Sequence, residues 1–465
     1  MAGGMKASPA VVTRRNPLGE WRSRTTFVLA LSASAVGLGN LWRLSYLTGE
    51  YGGAPFLVAY VLCLFLVGVP VMVAEVVVGS HGRAGPLSAL RHAADRSLRS
   101  RGWVLLGVLA CLAGLLLLTC YTVVAGWALA YARFMQTGVF AAASVPVAGE
   151  QFEQFLGDPL QQAYWQTLFL LACLAVVVTG VRRGLGLLAW LAVPVLLALL
   201  GVLVRFSLDN GDLAAAQDFL FSVQWVDFTP QVVLVALGHA FFSLGIGVGV
   251  GISYGGYAPR RIPIGRSVVA VAVFDTVFAL LAGVAVFPVV FANNLQPAMG
   301  PGLMFVSLPY AFGNLLQGEL YGALFFALVV VAAMGSAVAV MEPVVTSLMQ
   351  QFRIRRFTAV VLVGAALWLS GLAVVFSLDP AQRPSWLGGA SLLHLLDTLT
   401  SAALLPLVVL CTAVFVGWRM RPELQVVVLS RESTLFLSLW RFVLRYIVPP
   451  ATVLVTLLAL LSPAA

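Results

Sequence analysis

Two apolar stretches of this chain carry glycine, serine and asparagine where an uninterrupted helix would be expected. The first covers residues 33–40 (ASAVGLGN) and the second covers residues 241–249 (FFSLGIGVG). Each glycine weakens a helix by about 1 kcal/mol relative to alanine, so we predict non-helical backbone at Val36–Asn40 and Ser243–Gly249. Carbonyl groups freed in an apolar environment need partners, which a cation can supply, and the N-terminus of a half-helix favours a carboxylate. The chemistry indicated is joint binding of a cation and an anionic group.

The sequence offers no cluster of catalytic or metal-ligating side chains. Its histidines are widely spaced, at His81, His92, His239 and His394. Its cysteines lie inside apolar runs, which predicts small buried side chains rather than disulfides or metal ligands; they are Cys63, Cys111, Cys120, Cys173 and Cys411. We therefore expect that the protein is not an enzyme.

The elements that position the two glycine-rich stretches must be membrane helices. Of 465 residues, 61% are hydrophobic and 10% are charged, whereas a soluble domain has roughly 25% charged residues. About 20 apolar residues cross a bilayer. The sequence predicts an all-α integral membrane protein with eleven helices, at residues 21–46, 54–79, 103–133, 164–181, 184–206, 230–257, 264–292, 318–352, 357–377, 388–418 and 438–461.

Arginine residues predict the orientation of these helices. They occur in residues 14–24 and then in every second loop, while the alternate loops hold acidic residues. Positively charged loops remain cytoplasmic, so we expect a multi-pass protein of the inner (plasma) membrane with a cytoplasmic N-terminus and an extracytoplasmic C-terminus. Extracellular loops are expected near residues 209–229 and 292–317. The net charge of +9 is then a consequence of topology, which argues against nucleic-acid binding.

The two glycine-rich stretches lie in the first and the sixth predicted helix. Either stretch alone could serve close helix packing through small residues. Interruptions at matching positions of two halves are instead typical of the binding site of a secondary transporter. The pairing therefore favours transport over a purely structural role.

The chain resembles the neurotransmitter:sodium symporter family, in its bacterial form with eleven helices. The motifs that carry the resemblance are Trp21, residues 35–43 (AVGLGNLWR), 50–56 (EYGGAPF), 68–70 (GVP), Glu75, Gly79, residues 241–244 (FFSL), 300–305 (GPGLMF), Pro309 and residues 395–397 (LLD). The resemblance implies a 5+5 inverted-repeat fold, with a first repeat at 21–208 (helices one to five) and a second at 209–418 (helices six to ten). Residues 1–20 would be a cytoplasmic segment, and residues 419–465 a cytoplasmic loop and helix eleven. It also implies sodium-driven uptake of amino acids or related amines by alternating access.

The resemblance implies a first sodium site that includes a carbonyl of Ala35 and the side chains of Asn40 and Ser243. At the helix-seven position of this site the chain has Asp275 in place of the family's asparagine. Ala279, one turn later, replaces the serine of chloride-dependent members and the carboxylate of chloride-independent ones. We hypothesise that Asp275 supplies the negative charge, so that chloride is not required.

A second sodium site is implied at the carbonyls of Ala33, Val36 and Ala332 and the side chain of Ser336. Gly335 replaces a threonine or aspartate of the family and supplies no side-chain ligand. One sodium ion is therefore expected at the first site, and the second site is weakened.

The implied substrate site contains Ser34, Ala35, Gly37, Gly39, Tyr121, Phe242, Ser243, Val248 and Ser336. Amine carriers of the family have aspartate where this chain has Gly37. The glycine leaves room for the carboxylate of the substrate, so we expect an amino acid rather than a monoamine. Gly245 and Val248 replace larger groups of some members, which favours a neutral or hydrophobic side chain on the substrate.

Two gates are implied on either side of this site. The outer gate would be Arg43 with Asp397, together with Tyr121 and Phe242, and the inner gate would retain Trp21 and Tyr257. The family's inner ion pair is replaced by Leu18 and Gln350, and we hypothesise that Arg15 or Arg22 pairs with another acceptor such as Glu342. His239, where the family has glutamine, is interpreted as a hydrogen-bonded packing residue rather than a proton carrier.

The main hypothesis is sodium-coupled symport of an amino acid, with the amino acid and the lipid bilayer as partners. A proton-coupled or weakly sodium-coupled carrier is the alternative that Gly335 and Asp275 suggest. A sensor that binds substrate without transport is the alternative that the altered inner gate suggests. The identity of the amino acid, the sodium stoichiometry and the oligomeric state remain open at this stage.

Overall fold

The computed structural model of the protein describes residues 18–223, 225–297, 302–379 and 391–461, and the regular secondary structure within these ranges is entirely helical. Arg14, Arg15, Gly300, Pro301 and the first residues of the predicted tenth helix lie outside the described residues. The helices that matter for the site are α1a (Arg24–Ala35), α1b (Gly39–Glu50), α2 (Ala54–Gly82), α3 (Arg101–Gln136), α4 (Pro159–Val178), α5 (Val181–Asn210), α6a (Pro230–Ser243), α6b (Val250–Gly256), α7 (Ile264–Ala292), α8 (Gly318–Phe352), α9 (Arg356–Leu378), α10 (Leu392–Arg419) and α11 (Thr434–Leu458).

Within the described ranges, nine helices are long and apolar enough to cross a membrane, and the bent pair of α1a and α1b makes a tenth candidate. The pair α6a and α6b, interrupted at residues 244–249, occupies the place of the predicted sixth helix. The prediction of a multi-pass all-α membrane protein with broken first and sixth helices is confirmed.

Local sequence explains where several helices begin. The hydroxyl of Ser23 accepts a hydrogen bond from the backbone N–H of Thr26 at 3.1 Å, which caps α1a. The carboxylate of Asp158 caps α4 in the same way through the N–H of Gln161, at 3.0 Å. Such side chains satisfy N–H groups that have no partner in the first helical turn.

The loops contain short helices that the sequence pattern did not indicate. The stretch 209–229 holds a helix at Leu213–Phe221, and the stretch 292–317 holds a helical segment at Leu303–Gly313. A further helix, Val145–Leu156, lies between α3 and α4. None is long enough to cross a bilayer, so each is a helical segment of a loop between spanning helices.

Helix α8 lies at the centre of the molecule. It packs against α1a, α3, α5 and α9, and most of its surface is buried inside the protein. Gly114 on α3 allows close contact with α8, because a side-chain carbon there would lie 3.1 Å from Val340. The central position of α8 places its residues beside the break in the first helix.

Candidate substrate and cation site

The break in the first helix is short. Helix α1a ends at Ala35, and Val36 is extended, with φ −72° and ψ 108°. Regular helical backbone resumes as a wide turn at Gly39–Arg43. The predicted non-helical backbone is therefore found at residues 36–37, whereas Leu38 is already helical and Gly39 and Asn40 belong to the first turn of α1b.

The break in the sixth helix is longer and is held by a carboxylate. Gly245, Gly247 and Gly249 adopt φ values of +64°, +83° and +77°, which residues other than glycine rarely adopt. Glu75 on α2 accepts hydrogen bonds from the N–H groups of Gly247 at 2.7 Å and Gly251 at 3.1 Å. Ser243 is the last residue of α6a, so the predicted unwound segment begins one residue later than expected.

A cavity lies between the two breaks. Seven of the predicted substrate residues line it: Ser34, Ala35, Gly37, Gly39, Tyr121, Phe242 and Ser336. Ser243 and Val248 do not line it; both are buried beside it. The other lining residues are Leu117, Leu118, Gly245, Ala337 and Val340.

The additional lining residues come from α3 and α8, and helical spacing could have identified them. Leu117 and Leu118 precede Tyr121 by four and three positions, and Val340 follows Ser336 by four and Ala337 by three. Residues three or four apart share one face of a helix. Gly245 borders open space, since a side-chain carbon there would meet no atom within 4 Å.

The polar groups of the cavity surround Gly37. The hydroxyl oxygen of Tyr121 accepts a hydrogen bond from the N–H of Leu38 at 3.1 Å. A side-chain carbon on Gly37 would lie 2.8 Å from that hydroxyl and would also collide with the hydroxyl of Ser336. Glycine is therefore the residue that fits between the two hydroxyl groups, and it leaves them exposed to the cavity.

Asp275 on α7 is the centre of a buried polar cluster. One carboxylate oxygen accepts from the side-chain amide of Asn40 at 2.7 Å. The other accepts from the hydroxyls of Ser243 at 2.6 Å and Tyr60 at 2.7 Å. All four residues are at most 2% exposed. Tyr60 was not among the predicted site residues, because its helix, α2, carries no motif that points to this cluster.

The carboxylate of Asp275 lacks a cationic partner within the described residues, since none of the ion pairs found there includes it. An ionised carboxylate in an apolar interior is costly unless a positive charge balances it. Carboxylate, amide and hydroxyl oxygens are the ligands that hard cations prefer. The cluster of Asp275, Asn40 and Ser243 therefore fits a hard monovalent cation.

The second predicted cation site is arranged differently. The hydroxyl of Ser336 lies 3.3 Å from the carbonyl oxygen of Val36 and 3.5 Å from that of Ala332. Gly335 faces the carbonyl oxygen of Ala33, and a side-chain carbon there would lie 2.5 Å from that oxygen. The four predicted ligands, Ala33, Val36, Ala332 and Ser336, are thus brought together without a charged group among them.

The cavity is bounded at one end by Arg43 and Asp397. Their nearest charged atoms are 3.7 Å apart, and the Asp397 side chain is 44% exposed. The guanidinium carbon of Arg43 lies 5.0 Å from the ring centre of Phe242, a cation–π contact. This arrangement places Arg43, Phe242 and Asp397 in one layer above the cavity.

Beyond the N-terminus of α1a, Trp21 packs against the rings of Tyr254 and Tyr257. Its backbone N–H donates to the carbonyl of Tyr257 at 2.8 Å, and its indole N–H donates to the carbonyl of Tyr254 at 3.1 Å. The neighbouring Glu20 forms an ion pair with Arg83 at 3.1 Å, and Arg83 also donates to the carbonyl of Ala258. Burial lowers the pKa of Arg83, and the carboxylate of Glu20 counters that shift.

The hypothesis that Glu342 pairs with Arg15 or Arg22 is wrong for Arg22, and Arg15 lies outside the described residues. Glu342 is fully buried and pairs with Arg356 on α9 instead, and the hydroxyl of Tyr257 donates to it at 2.7 Å. Arg22 is exposed. The pairing could not be found by counting from the motif, because Arg356 approaches from a helix that carries none of the motif residues.

The interpretation of His239 as a hydrogen-bonded residue is also wrong. It is 1% exposed, yet neither ring nitrogen has a hydrogen-bond partner among the described residues. It packs against the ring of Tyr60, with centroids 5.1 Å apart.

Two broken helices around a largely apolar cavity that carries a few hydroxyl groups define a secondary transporter of the inverted-repeat class. The comparisons with known proteins agree. A family model, the sodium:neurotransmitter symporter family, matches residues 18–145 and 155–463.

The relatives extend over the same length. The uncharacterized sodium-dependent transporter YhdH of Bacillus subtilis is 31% identical over 441 residues, which cover 94% of this chain and 97% of the relative. An uncharacterized sodium-dependent transporter of Haemophilus influenzae is 27% identical over 443 residues, covering 92% and 95% of the two chains. The crystal structure of MhsT in complex with L-phenylalanine superposes with a TM-score of 0.86 at 35% identity, covering 95% of this chain and 99% of MhsT.

The chain belongs to the sodium:neurotransmitter symporter family. It is a sodium-dependent transporter and not an enzyme.

Proposed function

We propose that the protein couples the inward movement of sodium to the uptake of an amino acid with a neutral or hydrophobic side chain, by alternating access. The observation that carries this proposal is the cavity between the two breaks, which adjoins the buried carboxylate cluster of Asp275. Ser243 belongs to that cluster and neighbours the cavity residue Phe242 in sequence. A cation bound at the Asp275 cluster can therefore affect the binding of a substrate in the adjoining cavity.

The residues that would hold sodium at the first site are Asn40, Ser243 and Asp275, with the carbonyl of Ala35. Sodium would balance the charge of Asp275 and connect α1b, α6a and α7. Because Asp275 already carries a negative charge, chloride is not required to balance the ion. Asp275 would have this role alone, since Ala279, one turn later, supplies no charge.

Chloride independence can be tested by replacing chloride with gluconate on both sides of proteoliposomes at constant sodium. We expect the initial rate of amino acid uptake to remain within about twofold. A loss of most of the uptake would contradict the role proposed for Asp275, while leaving sodium coupling itself intact.

The cavity supports an amino acid as substrate. Gly37 leaves the hydroxyl of Tyr121 facing a space in which a carboxylate can accept its hydrogen bond. Leu117, Leu118, Ala337 and Val340 make the remainder of the wall apolar, which suits a hydrophobic side chain. The structural neighbour MhsT is complexed with L-phenylalanine, and this supports the same class of substrate.

A substitution that makes the cavity smaller tests whether its apolar wall contacts the side chain of the substrate. Ala337→Leu adds three carbons to the apolar wall, so we expect at least a tenfold loss of affinity for large substrates such as L-phenylalanine and a smaller loss for L-alanine. Ala366→Leu is the matched control, because Ala366 is exposed on α9. Equal losses for the two amino acids would show that the apolar wall does not contact the substrate side chain.

The two ends of the cavity would open in turn. In the proposed orientation, Arg43 and Asp397 form the outer gate with Tyr121 and Phe242, and Trp21 and Tyr257 belong to the inner gate. The arginine-rich loops support a cytoplasmic N-terminus and an extracytoplasmic C-terminus. We retain 21–208 and 209–418 as the two repeats, followed by the loop and helix eleven at 419–465.

Uptake into proteoliposomes distinguishes this function from its alternatives. We expect accumulation of labelled amino acid with an inward sodium gradient and loss of that accumulation when choline replaces sodium. Accumulation driven by a proton gradient alone would favour the proton-coupled carrier, and binding without accumulation would favour the sensor. A thermal-shift screen of the twenty amino acids, with and without sodium, identifies the substrate because a ligand of the folded state stabilises it.

A further inference from the structure

The oxygens beside the break in the first helix form a second group of candidate cation ligands. They are the carbonyls of Ala33 and Val36, the carbonyl of Ala332 and the hydroxyl of Ser336. Ala33, Val36 and Ala332 are at most 4% exposed, and Ser336 is 8% exposed. A cation at this position would have to connect the first helix to α8.

Charge distinguishes this group from the Asp275 cluster. Its members are three peptide carbonyls and one hydroxyl, all neutral, whereas the Asp275 cluster contains a carboxylate. In surroundings of low dielectric constant a full opposite charge attracts a cation far more strongly than neutral dipoles do. The group beside α8 is therefore the weaker ligand set by charge alone.

One donor of the protein competes with a cation for two of these oxygens. Ser336 lies within hydrogen-bond distance of the carbonyls of Val36 and Ala332, at 3.3 and 3.5 Å. Its single hydroxyl proton is directed at the groups that would otherwise ligate an ion. Helix α1a thus meets α8 through a direct hydrogen bond.

Gly335 allows the backbones to approach more closely than a side chain would permit. A carbon built on Gly335 would lie 2.5 Å from the carbonyl oxygen of Ala33, a separation that real side-chain carbons essentially never show. A threonine or aspartate at this position would require the two helices to move apart. Gly335 therefore supplies no side-chain ligand, and the close approach of the two backbones leaves no space for one.

We propose that the contact between the first helix and α8 is metal-free in this protein and that transport is coupled to one sodium ion per amino acid, held at the Asp275 cluster. The proposal rests on the proposed function. It assigns Gly335 as the residue that determines the coupling ratio, because the direct contact takes the place of a second ion.

The coupling ratio can be measured on the unmodified protein. Proteoliposomes are given ²²Na⁺ and tritiated L-phenylalanine as the probe, and the sodium-dependent initial fluxes of the two labels are compared. We expect a ratio close to one and a Hill coefficient close to one for sodium activation. A ratio of two overturns the metal-free contact but keeps sodium-coupled symport. Phenylalanine uptake that is independent of sodium rejects both proposals.

A pair of glycine substitutions tests the closed geometry separately from transport. Gly335→Ala adds one carbon against the carbonyl of Ala33, so we expect the midpoint of thermal unfolding in detergent to fall by several degrees. Gly238→Ala is the matched control, since Gly238 lies in α6a and a side-chain carbon there meets no atom within 4 Å. There we expect an unchanged or higher midpoint, because alanine favours a helix. Equal midpoints for the two variants would show an open space beside Gly335 and would overturn the proposal.

Discussion

Asp275 is surrounded by donors that can orient its carboxylate but cannot neutralise it. Asn40, Ser243 and Tyr60 all donate to it at 2.6–2.7 Å. These hydrogen bonds fix the position of the charge at the junction of α1b, α2, α6a and α7. Because this charge lies where four helices meet, the relative positions of those helices can depend on whether a cation is bound to it.

Replacing Asp275 by asparagine tests the importance of that charge. The variant keeps the shape of the side chain and removes the charge, so sodium should bind more weakly. We expect Asp275→Asn to raise the half-saturating sodium concentration for uptake at least tenfold, equivalent to about 1.4 kcal/mol. The measurement is a sodium titration of initial uptake in proteoliposomes.

Asp218→Asn is the control for Asp275→Asn, because Asp218 is exposed on the helix Leu213–Phe221. It should leave the sodium titration unchanged. Identical titration curves for the two variants would mean that the Asp275 carboxylate does not contribute to sodium binding.

His239 is a second residue whose environment leads to a definite expectation. Both of its nitrogens are buried without hydrogen-bond partners in the part of the chain that the structure describes, and a buried unsatisfied polar group costs roughly 1–3 kcal/mol. The ring itself packs against Tyr60 and, with centroids 6.3 Å apart, Phe56. We expect His239→Phe to keep this packing and leave the thermal midpoint in detergent unchanged or higher.

His239→Ala provides the comparison, since it removes the ring as well and leaves a cavity. Its midpoint should fall clearly below that of His239→Phe. If both variants lose the same stability, the imidazole nitrogens contribute bonds that the phenyl ring cannot replace.

At the scale of elements, the two breaks could be predicted because glycine acts locally. Gly245, Gly247 and Gly249 lie in the predicted non-helical stretch, and each adopts left-handed backbone. The first break was located less accurately, because the wide turn at Gly39–Arg43 restores helical backbone before Asn40. Helical propensity describes the tendency to unwind but not the residue at which tertiary packing restores the helix.

Contacts between distant elements were harder to predict. Asn40, Ser243 and Asp275 lie in or were counted from recognisable motifs, and the fold brings them together. Tyr60, Arg356 and the Glu20–Arg83 pair come from segments that have no distinguishing pattern. Their roles depend on helix packing, which a single sequence specifies only through the whole chain.

The buried ion pair between α8 and α9 should be important for holding these helices together. Glu342 is fully buried and accepts from Arg356 and from Tyr257, the residue that follows α6b. Removing one partner of such a pair leaves an uncompensated charge, which costs about 3–5 kcal/mol. We therefore expect Arg356→Met to lower the free energy of unfolding by this amount, because Glu342 cannot reach water.

A double-mutant cycle isolates the interaction between these two residues. Glu342→Gln should cost less than Arg356→Met, since the Arg356 side chain is 16% exposed and can be partly hydrated. The combination of both substitutions should recover part of the stability lost in Arg356→Met. Strictly additive losses, measured by denaturant unfolding in detergent, would show that the two charges act independently.

For the whole molecule, the two ends of the cavity differ in how firmly they are closed. Arg43 and Asp397 are 3.7 Å apart, a separation too long for a good hydrogen bond. At the other end, Trp21 makes two hydrogen bonds to the residues around α6b, and Glu20 and Arg83 form a close ion pair. The molecule is therefore closed more tightly at the end of the arginine-rich loops.

This difference predicts which end responds to the loss of a single ion pair. The Glu20–Arg83 pair joins the segment before α1a to the loop after α2, and it is partly exposed, so it should contribute no more than about 1 kcal/mol. A contribution of that size changes the population of an open state by roughly fivefold. Glu20→Gln should therefore increase amide hydrogen exchange at residues 20–26 and 254–258 by about that factor, with little change around Arg43 and Asp397.

Asp95→Asn is the control, because it breaks the exposed Asp95–Arg101 pair without touching the segment before α1a. A uniform increase in exchange at both ends, or equal effects of the two variants, would show that the pair stabilises the fold as a whole and not the closed arrangement of one end.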